Sequence, residues 1–559
     1  LSDAQSGGRR LLGQVLKTRK VVGEGQVQEA LEAQREQGGL FGQILVVLGH
    51  CSNADVAMGL AEQAGLETVD LDQIGPSEEA LEKVDASTAH TFGVLPIRIE
   101  ADTLIVAIGD PLNTAVLEDL SFSTGMPVRG AVGDAERIAQ LVEELYGAEE
   151  SLADAIADAA ASVGDHDSES AAASQPVVRL LNSILHRAIR DRASDIHFES
   201  FEDSFRIRYR VDGTLYEVES PPPHLALPLV SRVKVMSSLD ITETRVPQDG
   251  RIELAIDGRP VDLRVATLPS ISGEGCVLRI LDRSAVSLDL RALGLAKAEE
   301  EALRDLVELP HGIVLITGPT GSGKTTTLYA MLQEANSAEV KIITTEDPVE
   351  YDIDGIVQVP VNTDIGVTYA SVLRTILRQD PDKILVGEIR DEETAAVAVE
   401  ASLTGHTVFS TIHTNDAPST ITRLVDMGIA PFLISATLEA VVAQRLVRRI
   451  CSNCREAYKP DEDLLRELGP DSTQFEDSTL YFGKGCEECH HTGYKGRVGL
   501  FEILRLDAAM KSRVLKGGST NELREAARAS GMRSLRDSGL DAVLEGVTTI
   551  EEVLRETLV

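Results

Sequence analysis

The sequence predicts an α/β chain of several domains. Three observations lead there: buried-strand patterns alternate with helix-forming runs through the carboxyl-terminal half, a helical repeat opens the chain, and an acidic, Ala- and Ser-rich stretch separates the two regions. The 559 residues, 43% hydrophobic and 26% charged, have ordinary globular composition at a length that exceeds a single core. A formal net charge of -37 sets the molecule as a whole against phosphate backbones, so no nucleic-acid partner is expected. No segment approaches the roughly 20 apolar residues of a membrane-spanning helix. The start does not resemble a secretory signal, although its first residue is Leu rather than Met, and the cytoplasm is the expected compartment.

The repeat is Leu12-Gly13-Gln14-Val15-Leu16, with Leu31 and Gln34 downstream, recurring 29 residues later as Phe41-Gly42-Gln43-Ile44-Leu45, with Leu60 and Gln63. Two similar helical units are expected to pack together. Val94, Pro96, Ile97, Ile99 and residues 104–108 read as strands ending at Gly109-Asp110-Pro111, which makes residues 1–148 an amino-terminal α/β domain. Residues 151–174 hold five acids (Asp154, Asp158, Asp165, Asp167, Glu169) and no Lys or Arg; residues 149–174 are expected to be an acidic flexible linker, with a short amphipathic helix over 152–160 as the alternative. A helical pattern (Val178, Leu181, Ile184, Leu185, Ala188), alternating strands and an Asp212-Gly213 hairpin turn then mark a second α/β domain, PAS-like, over 175–289.

The last domain, 290–559, opens on the buried-strand pattern of residues 312–317. It leads straight into Gly318-Pro319-Thr320-Gly321-Ser322-Gly323-Lys324-Thr325-Thr326 and a helix-forming run. This is a P-loop in its required strand–loop–helix context, and it predicts a RecA-like P-loop NTPase core that binds ATP. The glycines allow successive backbone N–H groups to turn onto phosphate oxygens, Lys324 neutralises the β and γ phosphates, and Thr325 offers its hydroxyl to magnesium. Hydrolysis further needs a carboxylate to orient water. Two apolar strands end in acids: residues 341–345 run into Glu346-Asp347-Pro348, and residues 383–386 into Gly387-Glu388-Ile389-Arg390. The second is like a Walker B strand, with Gly387 where many P-loop enzymes carry an Asp.

Cys451-Ser452-Asn453-Cys454 and Cys486-Glu487-Glu488-Cys489 each present two thiols to one face of an ion. Thiolate-only ligation favours zinc in a closed structural site over the rival redox pair, within an element spanning 447–497. His490 and His491 adjoin the last Cys; Cys51 and Cys276 read as core.

Taken together, these residues resemble the GspE/PilB secretion-superfamily ATPases of type II secretion and type IV pilus assembly. The resemblance runs through Ser194-Asp195-Ile196-His197, Arg208-Tyr209-Arg210-Val211-Asp212-Gly213, Val246-Pro247-Gln248-Asp249-Gly250-Arg251, the P-loop, Glu346-Asp347-Pro348, Arg378-Gln379-Asp380-Pro381-Asp382 and Thr404-Gly405-His406. It implies that Glu346 lies in an Asp box and Glu388 in Walker B, either one activating the attacking water, that His406 and His413 form a His box sensing the γ phosphate, and that Arg210, Arg264 and Arg279 reach the transferring phosphate when domains close. It implies a homo-hexamer, peripheral at the inner membrane and docked to membrane-platform proteins, powering pseudopilus assembly in type II secretion. Pilus extension is the near alternative; the four-cysteine element disfavours a retraction motor. A nucleic-acid translocase and a nucleotide-regulated scaffold are the readings from other classes. The opening repeat resembles an amino-terminal domain that in some members binds cyclic di-GMP, departing from it at Lys20, which replaces a glycine, and at Arg10, one place out of register. A docking module is the other reading of that domain.

Overall fold

The computed structural model describes residues 12–37, 41–64, 66–71, 74–84, 86–109, 115–146, 152–162, 172, 174–256, 259–282, 288–475 and 478–557. Arg10, Asp110, Pro111, Asp165, Asp167 and Glu169 lie outside them. The chain divides into two units, Leu1–Ser284 and Ala285–Val559.

In the first unit the repeat becomes two helix pairs: α1 (Leu12–Thr18) with α2 (Glu24–Gln37), and α3 (Phe41–Val47) with α4 (Asn53–Ala64), the second pair starting 29 residues after the first (12 to 41, 24 to 53). The pairs interlock. A Cβ on Gly13 would lie 3.4 Å from Val27 and 3.2 Å from the Phe41 ring, and one on Gly42 would lie 2.6 Å from Val56 and 3.4 Å from Leu12. Leu12 and Phe41 occupy matching repeat positions, as do Val27 and Val56, so each repeat seats its first apolar side chain on the other's glycine. Lys20 adopts φ 61° where its counterpart Gly49 has φ 72°. The repeat geometry therefore survives the substitution, at the cost of holding a side-chain residue in the left-handed region.

Strands β1 (Glu67–Thr68), β2 (Val94–Glu100), β3 (Thr103–Ile108) and β4 (Val128–Val132) follow as a mixed sheet ordered β1-β4-β3-β2. Within the stretch expected to be a flexible linker, the structure has a helix, Leu152–Ser162, so the helical alternative is the one realised there. Leu152, Ala155 and Ala159 recur at helical spacing and are buried in one core with Val177, Leu181 and Leu185 of the helix Gln175–Arg190, while Asp154 and Asp158 face solvent. That core backs an antiparallel six-stranded sheet of β5 (Asp195–Ser200), β6 (Phe205–Val211), β7 (Thr214–Glu219), β8 (Gln248–Ile256), β9 (Arg259–Ser270) and β10 (Gly273–Asp282), ordered β7-β6-β5-β10-β9-β8.

The second unit is built on seven strands: β11 (Gly312–Thr317), β12 (Ile342–Glu346), β13 (Val357–Pro360), β14 (Lys383–Val386), β15 (Thr407–Ile412), β16 (Leu438–Ile450) and, beyond the pair β17 (Arg455–Tyr458) and β18 (Leu480–Gly483), β19 (Tyr494–Arg505). Their order is β13-β12-β14-β15-β11-β16-β19, all parallel except β19. Alternate residues enter different cores: Leu315, Val386, Val408 and Val441 one, Val314, Leu385, Phe409 and Val442 the other. A sheet covered on both faces explains why these strands read as unbroken apolar runs.

Lys20→Gly is expected to stabilise the α1–α4 pair by about 0.5–1 kcal/mol, the left-handed penalty relieved less the added chain entropy. Slower amide exchange in α1 and α3 reads this out; unchanged or faster exchange contradicts it.

Candidate active site

Parallel strands bring their carboxyl ends to one edge, and that edge gathers the candidate residues of the second unit. β11 ends at Thr317, whose hydroxyl lies 2.9 Å from the Ile412 carbonyl oxygen and accepts from the Thr414 N–H at 2.8 Å, which ties the start of the phosphate loop to the loop after β15. On the other side β16 closes against the loop. A Cβ on Gly318 would lie 2.5 Å from the Gln444 carbonyl oxygen, and one on Gly323 would lie 2.8 Å from the Gln444 amide nitrogen. Gln444 Oε1 accepts from Thr327 Oγ1 at 2.9 Å in the first turn of the helix Lys324–Ala335. Lys324 Nζ donates to the carbonyls of Gly318 and Pro319 at 2.9 and 2.8 Å; burial pushes its pKa down, opposed by the negative charge of Glu388. Ser322 is buried and Thr325 exposed at the helix start.

The two candidate carboxylates have different surroundings. Glu346, 4% exposed, accepts from the hydroxyls of Tyr329 and Thr344 and, at 3.1 Å, from Gln358 Nε2. Its carboxylate raises the pKa of Tyr329, as burial does more strongly. Glu388 pairs with Arg390 and lies 3.5 Å from His413 Nε2. Gly387 sits in close quarters: a Cβ there would meet the Tyr369 hydroxyl at 3.1 Å and the Thr345 carbonyl at 3.2 Å, so any larger residue requires β12 or Tyr369 to give by a few tenths of an ångström.

The two histidines of the expected His box stand apart in this chain. His413 follows β15 at the phosphate-loop edge. His406 precedes β15 and its carbonyl accepts from Gly312 N, at the opposite edge of the sheet and about 20 Å away by six residues at ~3.3 Å each. Its Nδ1 lies 3.0 Å from the Ala401 carbonyl and 3.1 Å from Thr404 Oγ1. His406 is thereby removed from the phosphate site of its own unit.

In the first unit, Arg210, Arg264 and Arg279 do come together. Cross-strand register places Arg210, Asp195, Arg279, Arg264 and Arg251 side by side across β6, β5, β10, β9 and β8. Asp195, 6% exposed, sits 3.1 Å from Arg279 Nε and 3.7 Å from Arg210 Nε. A cavity of about 490 Å³ opens on this row, lined also by Asp249 and Val277. Asp195 and Arg251 join the row without a role that the sequence assigns them; the period-2 alternation Asp195-His197-Glu199 against Arg206-Arg208-Arg210 is the signal for Asp195, and Arg251 has only its place in the Gly250-Arg251 motif. Gln444 and Arg445 carried none.

The four cysteines form one cluster, their sulfurs all within 4.8 Å of one another. Separations of 3.8, 3.8 and 3.7 Å for Cys451–Cys486, Cys454–Cys489 and Cys486–Cys489 match the about 3.8 Å that a tetrahedral ion imposes with metal–sulfur bonds of ~2.3 Å. The N–H groups of Gly485, Cys486 and Gly493 point at Cys454 or Cys489 sulfur. The Asn453 amide draws Cys486 down to about 7 while burial pushes Cys454 up to about 12, as sulfurs this close resist ionising together without a cation. His490 and His491 are not part of the cluster.

Residues 170–555 match the family model for the type II/IV secretion system protein. The chain belongs to the type II/IV secretion system protein family. It is accordingly a P-loop ATPase of that family. Residues 64–152 match the model of the MshEN domain. A type II secretion system protein E of Pseudomonas aeruginosa is 54% identical over 382 residues, 68% of this chain and 76% of its own. The type IV pilus assembly ATPase PilB of Myxococcus xanthus is 41% identical over 561 residues, 98% of each chain. A type II secretion system protein E of Xanthomonas campestris pv. campestris is 41% identical over 99% of each. The crystal structure of the Legionella pneumophila ATPase DotB, 22% identical, covers 67% of this chain and 94% of its own with a TM-score of 0.50, a likeness of fold.

Proposed function

We propose that this ATPase hydrolyses magnesium-ATP to power pseudopilus assembly in type II protein secretion. The observation that carries the chemistry is the phosphate loop braced between Thr317–Thr414 and Gln444, with Lys324, Glu388 and His413 at the same sheet edge. The 54% identity to a secretion protein favours secretion; full-length likeness to a PilB keeps pilus extension as the second reading.

In this reading backbone N–H groups of residues 318–325 hold the phosphates, Thr325 ligates magnesium, and Lys324 exchanges its two carbonyl partners for phosphate oxygens. Water attacks in line. Glu388 orients it, since its carboxylate lies 3.5 Å from His413 Nε2, with its charge felt by Lys324 and with Arg390 as its ion-pair partner, whereas that of Glu346 is buried among three donors. Arg264 lies opposite both Arg279 and Arg251, and Asp195 pairs with Arg279 and Arg210; in this reading the positive row gives Arg210, Arg264 and Arg279 the charge to supply to the transferring phosphate. The protein works as a homo-hexamer in the cytoplasm, peripheral at the inner membrane, on platform proteins of the secretion machine. No helix among the described residues is long and apolar enough to cross a membrane. Zinc at Cys451, Cys454, Cys486 and Cys489 staples the end of β16 to the β17–β18 pair. The α1–α4 repeat is a docking module; cyclic di-GMP binding is its second reading, favoured by the repeat geometry that Lys20 preserves.

Steady-state turnover tests the reading: Lys324→Ala is expected to abolish ATP hydrolysis and Glu388→Gln to lower kcat at least ~100-fold with nucleotide still bound, both insensitive to added DNA. Full turnover by Glu388→Gln would transfer the water to Glu346, and turnover surviving Lys324→Ala would refute the site. Purified protein is expected to hold one zinc per chain by elemental analysis. Its removal by chelator, or Cys486→Ser, lowers the melting temperature of the second unit; a metal-free protein of equal stability contradicts this.

A further inference from the structure

Arg445 on β16 has no part in the proposed hydrolysis, yet it lies directly under the phosphate loop. It is 7% exposed. Nη1 donates to the Gln444 carbonyl at 3.0 Å and Nη2 to the Asn415 carbonyl at 2.7 Å. A Cβ on Gly318 would lie 3.2 Å from Nη1, so the guanidinium abuts the first residue of the loop while reaching the segment that carries His413. Burial pushes its pKa down, and its charge in turn pushes down that of Lys324.

What the guanidinium lacks is an ion-pair partner among the described residues. The acids whose fields it feels are committed elsewhere: Asp416 to Arg524, Glu502 to the N–H groups of Ala417 and Leu535, Glu556 to Arg555. A buried cation whose direct partners are two carbonyl dipoles, with carboxylates acting only from a distance, is costly until an anion arrives. A second group at the same place is also uncompensated. Ser322 Oγ, in a side chain 3% exposed, has no hydrogen-bond partner among the described residues and lies 2.7 Å from that same Cβ position on Gly318.

We propose that Arg445 is a positioning residue for bound nucleotide, its buried charge balanced by the phosphates of a nucleoside di- or triphosphate, its two carbonyl contacts holding the phosphate loop and the His413 segment together while they are bound. It acts through the loop rather than on the reacting atoms. The inference rests on reading residues 318–325 as the nucleotide site. Because the cation is a liability without phosphate and an asset with it, the apo protein and the nucleotide complex respond in opposite senses to its removal.

Thermal melting of the full chain with and without magnesium-ADP, beside calorimetric ADP affinity, tests this for wild type, Arg445→Gln, Arg445→Lys and Lys324→Ala. Arg445→Gln is expected to melt without nucleotide at or above wild type, to lose more than half of the ADP-induced rise, and to bind ADP ~10-fold more weakly, the loss growing as salt is lowered. Arg445→Lys, which keeps the charge, is expected to retain most of the rise, and it carries the test if the Gln variant does not fold. An apo melting temperature below wild type with the ADP-induced rise intact would reduce Arg445 to a structural brace and overturn the proposal. So would loss of the rise in Arg445→Lys. An ADP-induced rise absent from wild type, or unchanged in Lys324→Ala, would instead sink the nucleotide site and this inference with it.

Discussion

The arrangement depends on how closely β16 approaches the phosphate loop. Gly318 and Gly323 stand where a Cβ would run into Gln444, the first into its backbone oxygen and the second into its side-chain amide. Gln444 then accepts from Thr327, so one residue of β16 sets both the loop's entrance and the first turn of the helix beyond it. With Thr317 bonded to Thr414 on the opposite flank, the loop is held from both neighbouring strands as well as by the bonds of Lys324 to the loop's own carbonyls. A loop braced on both flanks suits the fixed-donor electrostatics that phosphoryl transfer requires.

Sheet polarity decides which residues join that loop. β11, β12, β14 and β15 run parallel, so residues at or just past their carboxyl ends (Gly318, Glu346, Glu388, His413) converge, and residues before their amino ends are carried away. His406 and His413 are seven residues apart in sequence and stand at opposite edges of the sheet because a whole strand lies between them. The same geometry differentiates the carboxylates: the Glu346 side chain turns into the Tyr329–Gln358 network, and that of Glu388 pairs with Arg390 beside His413.

Much of this was legible in the sequence, because the features involved are local. The strand–loop–helix grammar of residues 312–335 needs no tertiary information, nor does the 29-residue repeat or the spacing of two Cys-x-x-Cys pairs. What stayed hidden is non-local. Gln444 lies 117 residues from its partner Thr327, and nothing in its own neighbourhood marks it. The arginine row spans five strands and becomes visible only once register is known. The helix at Leu152–Ser162 was masked by composition: Ala-rich, acidic segments read as solvated chain, yet one Leu and two Ala at helical spacing suffice when a neighbouring helix offers a matching face.

The central claim, that β16 shapes the phosphate loop into the nucleotide site, is tested most directly by Gly318→Ala in the full chain, measured by calorimetric titration with magnesium-ADP. A methyl group there meets the Gln444 carbonyl and forces loop and strand apart. Measurable ADP binding is expected to be lost, with the folded protein retained by circular dichroism. Wild-type affinity in that variant would contradict the claim.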